Sequence, residues 1–235
     1  MTSGPGGGFT DIARDAVADV WDRLPDHPFV RGMADGTLPA PVYQYYVGQN
    51  LLYLPQYARA IACAVTKSRS DDELRRYSAA LVNIVDVEIP QNERLLARVR
   101  DLSGDHVSRE VVMAPGTRNY TSYLLAVAGT ADVVAIGAAI LPCAWSYGEI
   151  ARRHIGGAVA HPVYREWFEF FASDQYAELE AGMRGRMDAD VAGLDPAQRD
   201  RLVGIFGDAT RLEWEFWEMA IAHGREESGE GAGQV

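Results

Sequence analysis

The sequence predicts an all-α protein that folds as a single helical domain. Apolar residues recur at three- and four-residue spacing within segments of roughly 15 to 30 residues, which is typical of amphipathic helices. Valine-rich alternation of the kind found in strands is almost absent, and glycine and proline mark only short breaks between the segments. With 235 residues, 48% of them hydrophobic, the chain is long enough for one large core.

Three helices are predicted in the first part of the chain. The helix at 9–24 ends at LPDHPF, and the helix at 40–67 follows DGTLPAP. The third, at 70–101, begins in SDDELRRY, where a capping serine precedes the acidic residues of a first turn. Pro55 and Pro90 lie inside these helices and are expected to kink them, because each proline removes a backbone donor.

Four more helices are predicted in the second part. Those at 117–128 and 131–155 begin near APGT and AGTAD, and the helix at 162–185 follows IGGAVAHP. The last helix, at 196–224, begins in DPAQRDR, which supplies a capping aspartate. The brief apolar run REVVMA, at 109–114, is predicted to be a loop.

Both ends of the chain are predicted to be disordered tails. Residues 1–8 and 225–235 are rich in glycine and in small or charged residues, which bury too little apolar surface to order a segment. The folded domain is therefore expected to span 9–224. MTSGPGGGF has no basic segment followed by an apolar one, so no signal peptide is expected there.

Charge and cysteine usage narrow the classes of function. The formal net charge is −11 and the pI about 4.9, so neither nucleic acid nor an anionic membrane is expected as a main partner, because both would repel the chain. No apolar stretch of about 18 residues is free of charge, which argues against a membrane span. Cys63 and Cys143 are too few for a disulfide scaffold and belong to no zinc motif, so a reducing cytoplasm is the expected setting.

One acidic residue of the last helix is predicted to point into the core. On a helical wheel, Glu213 lies at the edge of an apolar stripe that contains Phe216, whereas Glu215 and Glu218 lie on the opposite side. An unpaired carboxylate is costly inside a protein. Glu213 is thus either a structural glutamate with a hydrogen-bond partner or a carboxyl of raised pKa that is suited to acid–base catalysis.

A row of polar side chains is predicted along the second helix. Tyr46, Asn50, Tyr53 and Tyr57 follow one another at spacings of four, three and four residues, so they share one side of the helix. Such a row suits the wall of a pocket for a flat, hydrogen-bonding ligand. It equally suits a contact between helices or subunits.

Cys143 and Tyr147 lie at positions i and i+4, on the same face of a helix. By itself this spacing says little, because a buried helical cysteine is usually inert packing, and Cys63 is interpreted in that way. His27 and His161 each precede a proline at a predicted helix start, and both are interpreted as local structure.

Several motifs together resemble the TenA/thiaminase II family. In family order across residues 12–222 they are HPFVRGMADGTLP, YQYYVGQNLLYL, RNYTSYLL, ILPCAWSYGEI, HPVYREWFEFFAS and EWEFWEMA. The resemblance implies a haem-oxygenase-like all-α bundle, commonly assembled as a homotetramer. It also implies cofactor-free hydrolysis at the methylene on C5 of an aminopyrimidine, either thiamin or an aminomethylpyrimidine salvaged from it, to give hydroxymethylpyrimidine.

The resemblance also implies catalytic roles. Cys143 matches the nucleophile that adds to C6 of the pyrimidine ring. Glu213 matches the glutamate that handles protons at the pyrimidine and the leaving group. Tyr120 and Tyr147 match tyrosines that contact the ring and help to position or activate the cysteine.

Four residues are expected to bind the substrate: Tyr46, Asn50, Tyr53 and Phe171. Tyr53 matches an aromatic wall of the family pocket, and Phe171 stands where many members carry a tyrosine. Asn50 stands where the family usually has an aspartate that grips the amino group and a ring nitrogen. An asparagine both donates and accepts, without charge. It would hold the same ring more weakly, read a different ring such as a 4-oxo pyrimidine, or belong to a specialised pathway enzyme on the same fold.

Two other classes of function compete with the hydrolase. A pocket protein could bind a heterocycle without hydrolysing it, because a fold does not imply a function, although the retained Cys143 and Glu213 argue against this class. A di-iron oxidase would need inward Glu, Asp and His residues at helical spacing, and VDVEIPQNE has no histidine one turn from Glu88. No metal site is therefore predicted.

Overall fold

The computed structural model describes residues 7–104, 111–157 and 159–227. Within these ranges the chain forms eleven α-helices and no strand, so the predicted all-α class is confirmed. The helices are, in chain order, α1 (Phe9–Asp15), α2 (Ala18–Trp21), α3 (Pro28–Asp35), α4 (Ala40–Lys67), α5 (Asp71–Asn83), α6 (Ile89–Ser103), α7 (Pro115–Thr130), α8 (Val133–His154), α9 (Pro162–Phe171), α10 (Asp174–Val191) and α11 (Pro196–Glu227).

Several helices agree closely with the predicted bounds. Helix α4 begins and ends as predicted and runs unbroken through Pro55. Helix α11 begins at Pro196 as predicted but continues past the predicted end at 224 to Glu227. The predicted tails otherwise lie mostly outside the described residues, which exclude 1–6 and 228–235.

The first predicted helix, at 9–24, is wrong as a single element. It is split into α1 and α2 because the backbone of Val17 leaves the helical conformation, at φ −126° and ψ 24°. Helix α3 was not predicted as a separate element. It begins at Pro28, and the Nδ1 atom of His27 accepts a hydrogen bond from the backbone N–H of Phe29 at 3.1 Å, which caps the helix.

The predicted helix at 162–185 is likewise two helices, α9 and α10. The break falls at Ser173, whose Oγ atom accepts from the backbone N–H of Tyr176 at 3.3 Å. The same hydroxyl donates to the backbone oxygen of Phe170 at 2.7 Å. One serine thus binds a backbone carbonyl at the end of α9 and a backbone N–H at the start of α10, where helices lack internal partners for these groups.

A π-helical turn over Ile84–Glu88 joins α5 to α6 and replaces the continuous helix predicted at 70–101. Pro90 lies directly beyond this turn. Proline has no N–H to donate and its ring crowds the preceding turn, so the wider hydrogen-bond spacing of a π turn relieves the misfit. The distortion expected from Pro90 is thus present as a wide turn that carries Glu88.

The segment before α7 is held by Gln49, which is fully buried in α4. Its Oε1 atom accepts from the backbone N–H of Ala114 at 3.0 Å and from the hydroxyl of Thr117 at 2.7 Å. Its Nε2 atom donates to the backbone oxygen of Val112 at 2.8 Å. Residues 111–114 have no regular structure, as predicted, while 109 and 110 lie outside the described residues.

Helices α4 and α8 form the centre of the bundle. Helix α4 packs against α5, α6, α7, α8 and α11, and α8 packs against α7, α9, α10 and α11 as well. By length and composition α8 is the one described helix that could cross a membrane, but 83% of its most apolar window is buried inside the bundle. A core helix passes the same test. The facing sides of α4, α7, α8 and α11 carry the site described next.

Candidate active site

Glu213 lies inside the bundle, as the helical wheel predicts. Only 2% of it is exposed, whereas Glu215 on the same helix is exposed. The hydroxyl of Tyr120, on α7, donates to its Oε2 atom at 3.0 Å. Burial raises the pKa of Glu213 to about 7. Hydrogen bonds from Tyr147, Tyr120 and Cys143 stabilise the carboxylate and lower this pKa in part. The carboxyl can therefore lose or take a proton near neutral pH.

Cys143 lies on α8, on the same side as Tyr147. Burial raises the pKa of the Cys143 thiol well above its usual value, and the negative charges of Glu213 and Glu88 raise it further. Tyr53, which can donate to a thiolate, acts in the opposite direction. The free protein thus holds Cys143 as a neutral thiol beside a carboxyl that can accept its proton.

Tyrosine hydroxyls surround this pair. The hydroxyls of Tyr46 and Tyr147 are hydrogen-bonded to each other at 3.1 Å, and the indole N–H of Trp217 donates to Tyr147 at 3.3 Å. The rings of Tyr53 and Tyr120 lie 4.9 Å apart. The hydroxyl of Tyr53 is buried and makes no hydrogen bond with any described residue. Tyr53 therefore keeps a polar group for a ligand or for the thiolate.

Two adjoining cavities open beside Cys143. The outer chamber has a volume of about 440 Å³ and lies between α4, α5, α8 and α10. The inner chamber, of about 30 Å³, is lined by Asn50, Tyr147 and Phe171, among others. Six residues line both chambers and define their junction: Tyr53, Leu54, Glu88, Cys143, Phe170 and Tyr176.

The predicted site residues divide into those on the chamber surfaces and those behind them. Asn50, Tyr53, Cys143, Tyr147 and Phe171 line the chambers. Three others belong to neither lining: Tyr46, Tyr120 and Glu213. The Cys143 thiol and the Tyr147 hydroxyl therefore lie between the carboxyl of Glu213 and the cavity.

Asn50 has a fixed amide orientation. Its Nδ2 atom donates to the Oδ1 atom of Asn92 at 2.9 Å, and the Nδ2 atom of Asn92 donates to the backbone oxygen of Glu88 at 2.9 Å. Turning the Asn50 amide over would bring two oxygens face to face. The oxygen of Asn50 is thus the amide atom left without a partner among the described residues, and it can accept a hydrogen bond from a ligand.

Phe171 lies at the end of α9 and lines the inner chamber without a hydroxyl. Its ring packs edge-on against Tyr147, with centroids 5.0 Å apart, and against Trp167 at 4.7 Å. An aromatic wall therefore faces the ring of any bound heterocycle on this side.

Two chamber residues, Glu88 and Tyr176, were missed as parts of a substrate site. The sequence marks Glu88 only as a possible iron ligand. A helical wheel drawn through 70–101 cannot place it, because the π turn that carries Glu88 breaks the regular spacing of an α-helix. Tyr176 follows the unpredicted break between α9 and α10. Among the described residues, no three His, Cys, Asp or Glu side chains are grouped so as to hold a metal ion.

The histidines and the second cysteine lie elsewhere. His27 is fully buried, its Nε2 atom lies 3.1 Å from Glu218, and burial lowers its pKa to about 4. The ring of His161 stacks on Tyr164 with centroids 4.0 Å apart. Cys63 packs against the core and lines neither chamber. All three fit the structural interpretation made from the sequence.

Comparison with known proteins identifies the family of the chain. A model of the TENA/THI-4/PQQC family matches residues 14–223. The chain belongs to this family. It is 36% identical over 214 residues to a protein of Halalkalibacterium halodurans named aminopyrimidine aminohydrolase, an alignment that covers 90% of this chain and 95% of the relative. The resemblance found in the motifs is thereby confirmed.

Solved structures show the same architecture. A TenA homologue from P. horikoshii superimposes with a TM-score of 0.79 at 29% identity, over 91% of this chain and 98% of that one. A domain from Shewanella denitrificans with a heme oxygenase-like fold superimposes with a TM-score of 0.69 at 14% identity, over 96% of each chain. The second likeness concerns the fold alone, and it confirms the predicted haem-oxygenase-like bundle.

Proposed function

We propose that this family member is a cofactor-free hydrolase of the thiaminase II type that serves thiamin salvage. It would cleave the substituent from the C5 methylene of an aminopyrimidine and leave hydroxymethylpyrimidine. The observation that carries the proposal is a half-buried thiol, Cys143, set between a chamber of ligand size and the carboxyl of Glu213. The name of the H. halodurans relative supports it.

The first step is formation of the Cys143 thiolate. The pKa of Glu213, at about 7, makes its carboxylate an available base at neutral pH. Transfer of the thiol proton to Glu213 also removes the negative charge that opposes ionisation of the thiol. Tyr53 can then donate to the sulfur. Cys143 is thus the nucleophile and Glu213 its base, with Tyr120 holding the carboxyl in place.

The thiolate then adds to C6 of the ring. An Sγ–C6 bond forms, the displaced electron pair moves to ring N1, and N1 takes the proton held by Glu213 through the hydroxyl of Tyr147, which lies between that carboxyl and the cavity. The lone pair of the 4-amino group moves through C4 to C5, and the bond from the methylene to the protonated leaving nitrogen breaks, so that a neutral amine departs. Water adds to the exposed methylene and gives a proton to that amine. Glu213 recovers the N1 proton as the Sγ–C6 bond breaks and the thiolate leaves.

Asn50 would recognise the 4-amino group of the ring. Because Asn92 holds the amide with its oxygen free, Asn50 offers an acceptor to the amino N–H rather than a donor to a 4-oxo group. Asn50 lines the same chamber as Phe171 and Tyr147, which would contact the faces of the ring. Among the readings left open by the sequence, a retained aminopyrimidine held without a charged partner is favoured.

Turnover tests this function. The purified protein is incubated with thiamin and, separately, with 4-amino-5-aminomethyl-2-methylpyrimidine, and hydroxymethylpyrimidine is followed by mass spectrometry. Product is expected from the wild type, none from Cys143→Ala, and an unchanged rate from the matched control Cys63→Ala. A wild-type protein that binds these pyrimidines but releases no product would instead be the non-hydrolytic pocket protein.

The orientation of Asn50 is tested by binding. Calorimetry with 4-amino and 4-oxo hydroxymethylpyrimidines is expected to favour the 4-amino ring in the wild type by about tenfold, the cost of one lost hydrogen bond. Asn92→Leu releases the Asn50 amide and should reduce this preference. Asn50→Asp restores a charged acceptor and, once the Asn92 amide turns its nitrogen toward the new carboxylate, should tighten binding of the 4-amino ring by about one to two decades. Equal or better wild-type binding of the 4-oxo ring would contradict the assigned orientation.

The setting of the reaction is part of the proposal. Two thiols that form no disulfide suit a reducing cytoplasm, and the family resemblance implies a homotetramer. Size-exclusion chromatography with light scattering would measure the assembly, and a mass close to that of one 25.8 kDa chain would exclude a tetramer.

A further inference from the structure

One carboxyl that lines both chambers has no part in the mechanism above. Glu88 lies on the π turn and lines both chambers beside Cys143 and Tyr176. Its negative charge raises the pKa of both neighbours. Glu88 and the Cys143 thiol therefore line the same junction between the chambers.

The partners of Glu88 are neutral. Its Oε1 atom accepts from the amide of Asn83 at 3.0 Å, and it forms no ion pair with a Lys, Arg or His of the described residues. Arg76 and Arg186 line only the outer chamber and both pair with Asp72, at 3.3 and 3.0 Å. An ionised Glu88 thus lacks a compensating positive charge, which is costly for a half-buried carboxylate.

Tyr53 is a second polar side chain at the junction. It is 3% exposed, lines both chambers, and its hydroxyl has no hydrogen-bond partner among the described residues. Buried hydroxyls are normally paired, so this one is expected to gain its partner when the cavity is occupied. Glu88 and Tyr53 therefore present an acceptor and a donor to the same space.

We propose that Glu88 determines specificity for pyrimidines whose C5 substituent carries a positive charge, such as a protonated amine. Its carboxylate would bind the charged nitrogen at the junction while the ring lies toward Asn50 and Phe171. The outer chamber continues beyond Glu88 past apolar side chains such as Ile61 and Met187, so it has room for cationic substituents larger than an ammonium group. This inference rests on the proposed function, because it presupposes a pyrimidine ring in the inner part of the cavity.

Two ligands with the same ring test the inference. 4-Amino-5-aminomethyl-2-methylpyrimidine has a cationic substituent, and the hydroxymethyl compound has a neutral one of similar size. Their dissociation constants are measured by calorimetry at pH 7.5 in the Cys143→Ala background, which prevents turnover. The Glu88→Gln change should weaken binding of the cation by about 10- to 100-fold, the range for a charge-assisted hydrogen bond, and change binding of the neutral compound less than about threefold.

Asp190→Asn is the matched control, because Asp190 lines the outer chamber but not the junction, and it should leave both constants unchanged. Glu88→Asp, which keeps the charge, should retain part of the preference, and thermal unfolding checks that each variant is folded. A preference that survives in Glu88→Gln, or equal weakening of both ligands, would overturn the role of Glu88 and leave the hydrolase proposal standing. Failure of both ligands to bind even with Glu88 present would overturn the proposed function and this inference together.

Discussion

At the scale of single residues, the order in which Cys143 and Glu213 lose their protons decides the chemistry. The thiol acts as a donor to the carboxylate and lowers the pKa of Glu213, whereas the negative charge of Glu213 raises that of the thiol. The carboxyl therefore ionises first, and a thiolate forms most readily when Glu213 holds the proton. The pair stores one proton that it can move between sulfur and oxygen.

Replacing Glu213 by Gln should separate thiol reactivity from catalysis. Gln removes the charge that opposes ionisation, so the pKa of Cys143 falls and alkylation by iodoacetamide at pH 8 becomes faster. Turnover should nevertheless drop by about 10²- to 10⁴-fold, because the proton acceptor is lost. Mass spectrometry of the Cys143 and Cys63 peptides measures the first effect, with Cys63 as the internal control. Slower alkylation of Cys143 in the variant would contradict this account of the pair.

At the scale of secondary-structure elements, one side chain joins the ends of two helices. Lys67, the last residue of α4, donates from Nζ to the backbone oxygens of Ala128 and Ala131, each at 2.6 Å. These carbonyls belong to the C-terminus of α7, where the helix dipole favours a positive charge. The contact holds α7, and with it Tyr120, against the tyrosine row of α4.

Replacing Lys67 by Met should destabilise the bundle. The apolar stem is kept, but the carbonyls at the end of α7 lose a charged donor, at an expected cost of about 1–2 kcal/mol in the free energy of unfolding. Urea denaturation measures it as a lower midpoint at constant slope. Arg59→Met is the control, since Arg59 is exposed on the same helix and, among the described residues, its side chain bonds only to Pro55 of that helix. Equal shifts in the two variants would refute the capping role.

At the scale of the whole molecule, two carboxyls of the candidate site lower the free energy of unfolding at high pH. Burial raises the pKa of Glu213 and of Glu88 to about 7, so both carboxylates are ionised at high pH in an environment that disfavours the charge. Between about pH 4.5 and 7 the folded chain holds protons that the unfolded chain has lost. The free energy of unfolding therefore falls as pH rises through this window, and it stays lower above it.

The Glu213→Gln variant should be more stable than the wild type, but only at high pH. A pKa of about 7 instead of 4.5 corresponds to at most about 3 kcal/mol, so a gain of about 1–3 kcal/mol is expected at pH 8 and little change at pH 4.5. Urea midpoints at the two values of pH measure it. A variant less stable than the wild type at pH 8 would show that the carboxylate is stabilised in the fold. Such a result would fit a structural glutamate.

Patterns in the sequence were enough to predict those features of this protein that depend on residues close together in the chain. Periodicity between the breaks DGTLPAP and SRSDDEL determined α4, and the wheel of α11 determined that Glu213 points inward, because a regular helix sets which residues share a face. The family motifs determined the fold and singled out Cys143. Each of these inferences needed only regular helical geometry or a match of residues in order.

Only the tertiary structure decided how the site is completed. The π turn before Pro90 shifts the helical phase and brings Glu88 to the chambers, so no single wheel through 70–101 could place it. The amide of Asn50 is oriented by Asn92, 42 residues away in the chain. The pKa values of Glu213 and Cys143 are set by burial among four helices. These properties depend on contacts between distant segments, and such contacts exist only once the helices have packed.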